Sequence, residues 1–442
     1  MKIHNALLVC NGSINRGWVE WSDGRIVSSG FGEIPDATDS LDAEGAYLIP
    51  GLVDSHVHFR DPGLTHKGDY MTESLAAAAG GVTTAFDMPN TVPATTSAEE
   101  LAAKVARIAS NGAYCRIVPM LGAKDDAVDQ LRKIDLSATP CVKLFLGTTT
   151  GAMGAPEGKN LEDLFRFCAD MRLPIMVHAE DNAIIDSNMK READYFGGVD
   201  KIPFDRHRRI RSREACRKST AGAVELAERF GTRLHIAHVS TAEEVKDFLT
   251  EGPTAGKLIT AETTPLYLDP IIAVPSTRDR RLKVNPAIKE EYDAEALRAA
   301  LFTGAIDTIG TDHAPHLLEE KLLPGLTAAS GAPSIQFALP AMLTYLPVEK
   351  VVEKMTAGPR DVFGLQCNTD FSAGSNADFA LVRETESYTV VDTDVLSRCA
   401  WTPFAGRTFR HRVVSTWVGG VQVWGGNEPR LFSHASDVKF CR

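Results

Sequence analysis

Asp54-Ser55-His56-Val57-His58 sets two imidazoles two residues apart. Alternate residues of a strand share a face, so both rings can point the same way and hold one metal ion. Alone, such a pair is as readily two hydrogen-bonded histidines near a turn. The reading therefore depends on what converges with it. His178 closes the apolar run Pro174–His178, His238 lies in Arg233–Val239, and Asp312 ends Thr308–Asp312. Four imidazoles and a carboxylate on one rim form a donor set for hard-to-borderline divalent ions, most simply Zn²⁺. His235 precedes His238 by three residues and faces the other side of a strand, so it is read as packing or as support for a ligand. His313 points away from Asp312 for the same reason, whereas His316 is read as free in its loop to meet substrate.

Lys143 lies within Cys141-Val142-Lys143-Leu144-Phe145-Leu146. An ammonium directed inward from an apolar strand is costly, so its pKa should fall. A neutral amine can take up carbon dioxide to form a carbamate, whose two oxygens can bridge two cations. Without neighbouring ligands, Lys143 would be read as a lysine whose stem packs while its head reaches solvent. With them, the bridging role is preferred. Two cations can lower the pKa of a bridging water and polarise an amide carbonyl. Asp312 could then act as general base and, by returning the proton to a leaving nitrogen, as general acid.

These residues need a scaffold that brings strand ends together. From about residue 47 to 316, short Val-, Ile- and Thr-rich runs alternate with amphipathic stretches, the pattern of repeated βα units. Eight runs are expected as strands: Tyr47–Phe59 in part, Val82–Met88, Arg116–Leu121, Cys141–Leu146, Pro174–His178, Arg233–Val239, Leu258–Glu262 and Thr308–Asp312. Between them, Ser97 to Ser110 reads as a helix entered through a Ser97/Glu100 capping box. Eight repeats imply a closed (β/α)8 barrel of the TIM type over residues 51–364, with its chemistry at the C-terminal strand ends. Residues 1–50 and 365–442 read as short strands and turns, forming one small composite β-sandwich domain from both termini. The stretch Phe196 to Arg213 reads as merely a long, basic loop.

A chain of 442 residues, 44% hydrophobic, can bury a large core. Its formal charge of −11 argues against broad binding to nucleic acid or anionic membrane, so a pocket for an anionic small molecule must carry its own positive charge. The eight cysteines are scattered without a CxxC pair and are expected to be reduced and mostly buried. No apolar run of membrane-spanning length occurs, and the opening MKIHNALLVCNGSINRG lacks secretory features, so a cytoplasmic location is expected. The oligomeric state is left open, a homodimer included.

The segment Pro50-Gly51-Leu52-Val53-Asp54-Ser55-His56-Val57-His58-Phe59-Arg60-Asp61-Pro62-Gly63 resembles a dihydroorotase signature within the amidohydrolase superfamily. Asp87-Met88-Pro89-Asn90-Thr91 and Gly310-Thr311-Asp312-His313-Ala314-Pro315-His316 resemble two further motifs, and the likeness extends to Phe404-Ala405-Gly406. This resemblance, to the lysine-containing class I type, implies a two-zinc site made by His56, His58, Lys143, His178, His238 and Asp312, with Lys143 carboxylated. It further implies that Arg60, Asn90 and His316 hold a substrate carboxylate and that Asn285 meets a pyrimidine ring. The implied reaction is reversible hydrolysis of dihydroorotate to carbamoyl aspartate by a metal-bridged hydroxide. One departure is Pro265-Leu266-Tyr267, where such proteins often carry a histidine pair after the proline. Glu262 is accordingly expected to orient a ligand imidazole and not to hold an additional metal. The loop Gly147 to Gly154 is a candidate lid. Rival readings are an allantoinase or hydantoinase, which need no clamp for a ring carboxylate, and a catalytically silent scaffold, which would be expected to lose metal ligands.

Overall fold

The computed structural model describes residues 1–147, 153–366, 369–425, 428–432 and 438–442. Most of the proposed lid, residues 148–152, lies outside the described residues, as does Cys367. Six of the other cysteines are buried free thiols, and Cys441 is exposed.

Leu52–Val57 and Val82–Asp87 are buried at every position, as strands covered on both faces require. They pair in parallel, and Val82–Asp87 pairs with Arg116–Pro119. The chain continues through Met120 to Leu121–Gly122. Parallel pairing then runs through Val142–Phe145, Ile175–His178, Leu234–Ile236, Ile259–Thr263 and Thr308–Ile309. A parallel bridge between Val57 and His313, with His58 N donating to His313 O at 2.7 Å, links the last strand to the first. This mixed α/β arrangement, with helices such as Ala98–Asn111, Arg213–Phe230 and Glu291–Thr303 between strands, is consistent with a barrel. The expected capping box is present: Glu100 N donates to Ser97 Oγ at 3.2 Å, and Ser97 N donates to Glu100 Oε2 at 2.9 Å.

The expected first strand, Tyr47–Phe59, is divided at Gly51. Tyr47–Pro50 pairs with Lys2–Cys10 and Phe379–Thr389, whereas Leu52–Val57 joins the parallel series. A Cβ on Gly51 would lie 2.2 Å from Thr83 Oγ1, so only glycine lets the two strands approach at this crossing. Strands from both chain ends share one eight-stranded sheet, running from Val421–Trp424 through Thr408–Val418 to Arg25–Phe31. Trp21, Phe379 and Trp417 cluster in its core with edge-on and tilted contacts at 5.0–6.0 Å.

Candidate active site

The strand ends open on a cavity lined by His56, His58, Arg60, Asn90, His178, His238, Asn285 and Asp312 among others. Nδ1 of His56 donates to Glu262 Oε1 at 2.8 Å, which turns Nε2 toward Asp312 Oδ1, 3.6 Å away. Nδ1 of His58 donates to Asn90 Oδ1 at 2.7 Å and leaves Nε2 3.1 Å from the same Asp312 oxygen. Ligand atoms of His56, His58 and Asp312 all lie within 4.8 Å of one another. Beside them, His178 Nδ1 and His238 Nε2 face each other at 3.0 Å, and the His56 and His238 rings are 5.2 Å apart. Lys143 is fully buried, and its Nζ has no hydrogen-bond partner.

The backbone is bent to achieve this. Arg60, His238 and Asp312 have φ of 68°, 40° and 48°, a left-handed region that non-glycine residues occupy only when their surroundings impose it. Asp54 accepts from Thr311 N at 2.9 Å and His56 N at 3.2 Å, tying the His56 strand to the one that carries Asp312. Gly310 makes room for the Glu262 carboxylate, because a Cβ there would stand 2.4 Å from Oε2.

Arg60 is 2% exposed; its Nε donates to Pro315 O at 2.9 Å, and its Nη2 lies 3.1 Å from His316 Nε2. His316 is not free in its loop. It is buried, makes no part of the cavity lining, and has Lys67 Nζ 3.2 Å from Nδ1. With Arg60 donating to one ring nitrogen and Lys67 beside the other, His316 braces the guanidinium from behind. The basic stretch Phe196 to Arg213 also departs from expectation. It folds into short turns of helix, Arg211 pairs with the buried Glu180, and His207 Nε2 donates to Val284 O at 3.0 Å, one residue before Asn285.

A family model described as "Amidohydrolase family" matches residues 47–423. The chain belongs to the amidohydrolase family. Among curated relatives, this amidohydrolase is 33% identical to a dihydroorotase of Halobacterium salinarum over 89% of its own length and 90% of the relative's. A dihydroorotase of Shouchella clausii is 32% identical over 88% and 90% of the two chains. Among solved structures, an L-hydantoinase from Arthrobacter aurescens superposes with a TM-score of 0.85 at 24% identity, covering 97% of each chain. A dihydropyrimidinase from Brevibacillus agri superposes at 0.83 with 22% identity, covering 98% of this chain and 97% of that one. At these identities the solved structures speak to the fold alone.

The electrostatics of this amidohydrolase suit a bound cation. Burial lowers the pKa of His58 to about 4 and pulls His178 and His238 down, so these imidazoles are neutral and keep a lone pair for a ligand. Burial likewise lowers Lys143 to about 8. Burial would raise the Asp312 pKa, but His56 and His58 outweigh it and hold the carboxyl below its usual range. Burial leaves Arg60 with a pKa of about 10, still charged at neutral pH. An unpaired buried amine, two imidazole nitrogens face to face and an ionised aspartate shared by two histidines fit divalent metal ions.

Glu262 supports His56 as the sequence suggests, and Ser55 Oγ donates to its other oxygen. His235 contacts Thr260 Oγ1 at 2.9 Å and Phe363 edge-on, and His313 donates to buried Glu73 at 2.7 Å. Both lie outside the cavity lining. Phe145, Glu180, Ser330 and Gly331 escape the sequence reading. Phe145 was recoverable from its i, i+2 spacing with Lys143. Glu180 stands two residues after His178, 3.2 Å from its Nε2, where Arg211 and His178 outweigh burial and hold its pKa at about 2. No spacing signals Ser330 and Gly331.

Proposed function

We propose that this chain is a dihydroorotase that reversibly hydrolyses the cyclic amide of (S)-dihydroorotate to N-carbamoyl-L-aspartate, in de novo pyrimidine (UMP) biosynthesis in the cytoplasm. In this reading, residues 51–364 form a closed (β/α)8 barrel of the TIM type, and residues 1–50 with 365–442 form a small β-sandwich. His56, His58, His178, His238, Asp312 and Lys143 hold two Zn²⁺ per subunit, with Lys143 as its carbamate. The buried Lys143 amine, which has no hydrogen-bond partner and a lowered pKa, supports that last assignment. Its neutral form adds to carbon dioxide and releases a proton, which leaves a carbamate with one negative charge.

When bound, the cations supply Lewis acidity and a water of lowered pKa. The ionised Asp312 accepts the proton of the attacking water and delivers it to the ring nitrogen as the amide bond opens. A poor leaving group needs that proton. Arg60 pairs with the ring carboxylate through its planar guanidinium. Asn285 Oδ1, buried without a hydrogen-bond partner, can accept from a ring N–H. Asn90 accepts from His58 and so sets the tautomer that leaves Nε2 free as a ligand.

The observation that carries the reading is the buried, charged Arg60 on the same cavity as the histidine and aspartate cluster. An anionic ring compensates that charge, whereas hydantoin and allantoin bring no carboxylate to it. The full ligand set also speaks against a silent scaffold. Turnover of dihydroorotate, hydantoin and allantoin, measured side by side on zinc-loaded protein, tests this. Dihydroorotate should have the highest kcat/KM, and faster opening of either other ring overturns the assignment.

A further inference from the structure

Behind the cavity wall lies a lysine that no part of the reaction requires. Lys321, in the short helix Leu318–Lys321, is fully buried. Its ammonium donates to Lys283 O, Ala329 O and Gly331 O, each at 2.8 Å. Three donors meet three acceptors, so the group is saturated. The Trp401 ring lies 5.6 Å away, and among the described residues no carboxylate comes within ion-pair distance. Burying an ammonium without a counter-ion is expensive, and an apolar side chain would fill the volume at lower cost.

The three carbonyls belong to two segments 46 residues apart, and both segments reach the cavity. Lys283 precedes Asn285 by two residues, and Gly331 lines the cavity itself beside Ser330. The segments are stitched reciprocally. Lys283 Nζ donates to Leu326 O at 2.7 Å and Ala328 O at 2.6 Å, while Gly331 N donates to Lys283 O at 2.9 Å. There is little slack at the seam: Gly331 has φ 132°, and a Cβ on it would stand 2.7 Å from Ala314 O and 3.1 Å from His316 Cδ2. The next residue along the helix toward its start, Glu320, pairs with Lys67 at 2.7 Å and lies 3.5 Å from His316 Nδ1, the residue that braces Arg60.

We propose that Lys321 is a positioning residue for substrate binding: by gathering the carbonyls of residues 283, 329 and 331, it sets the spacing between Asn285 and the Ser330–Gly331 wall. This inference rests on the dihydroorotase reading for its substrate. Lys321 touches none of the metal ligands, so its loss should be felt in binding and not in metal content.

The test is Lys321→Met, which keeps the stem and removes the ammonium, compared with wild type in the zinc-loaded enzyme. KM for dihydroorotate should rise about tenfold or more, with kcat within about threefold and bound metal unchanged. Lys354→Met provides a reference for stability alone, because Lys354 is also buried but pairs with Glu353 in the helix Val348–Met355. It should lower the melting temperature and leave KM unchanged. If Lys321→Met loses stability with KM unchanged, or loses kcat and metal together, the proposal is overturned. Should Lys321→Met fail to fold, Lys283→Met loosens the same seam, and an unaltered KM there also overturns it. If wild type opens hydantoin and not dihydroorotate, the functional reading falls. The same comparison is then made with hydantoin, where an unchanged KM counts against Lys321.

Discussion

Replacing Lys143 by methionine should make the metal-free protein more stable and inactive at once. Lys143 Nζ is buried without a hydrogen-bond partner, and burial lowers its pKa from 10.5 to about 8. With the folded pKa below the unfolded one, the folded state binds fewer protons than the unfolded chain between those values. The group therefore destabilises the fold in full below about pH 8, and the penalty fades as pH rises from about 8 toward 10.5. At 1.36 kcal/mol per pH unit, the penalty is about 3 kcal/mol at neutral pH and less than about 1 kcal/mol near pH 10.5. Methionine preserves the stem at similar volume and carries no charge to bury. The assay is urea denaturation of chelator-treated wild type and Lys143→Met in carbonate-free buffer at several pH values. The variant should lead by about 2–3 kcal/mol near pH 7, with the gap closing in alkali, and should bind little zinc. A gap that does not change with pH, or a variant less stable near pH 7, would refute a buried, unpaired amine at this position.

Other substitutions separate the remaining roles. Asp312→Asn keeps a ligand oxygen and loses the proton acceptor, so kcat should fall about 10²- to 10⁴-fold with metal content near that of wild type, checked by turnover and metal analysis. Equal loss of metal and activity would make Asp312 chiefly a ligand. Glu262→Gln weakens the partner of His56 Nδ1 and should reduce zinc affinity about 10- to 100-fold, read by chelator competition. Arg60→Gln should raise KM for dihydroorotate by at least about tenfold while leaving slow turnover of hydantoin, which has no ring carboxylate, nearly unaltered. A parallel loss on both substrates would place Arg60 in the structural frame of the cavity and not in its selectivity.

The histidines and the aspartate that line the cavity were legible because each lies at or near the end of an apolar run. His56 and His58 share a strand face by their spacing, and His178, His238 and Asp312 fall where βα units place reactive residues. The separation of His235 and His313 from the cavity was expected from strand alternation, but the strands end at Ile236 and Ile309, and it is the left-handed backbone at His238 and Asp312 that turns those two side chains inward. Tyr47–Pro50 and Leu52–Val57 are both apolar, and it is their pairing partners that send them to different sheets. His316 was misread for a related reason: proximity to Asp312 in the chain says nothing about Arg60 and Lys67 closing on its ring.

Residue type and position along the βα repeats thus determined which histidines and aspartate could meet at the strand ends, their order along the chain and the lowered basicity expected of an inward lysine. Tertiary structure alone decided which loop meets which: Arg211 at Glu180, His207 at the carbonyl before Asn285, and Lys321 across residues 283, 329 and 331. Contacts within a strand repeat with the geometry of the backbone and leave a periodic trace in the sequence. Contacts between loops are single meetings of donors with carbonyls that any residue can offer, so no pattern of side chains foretells them.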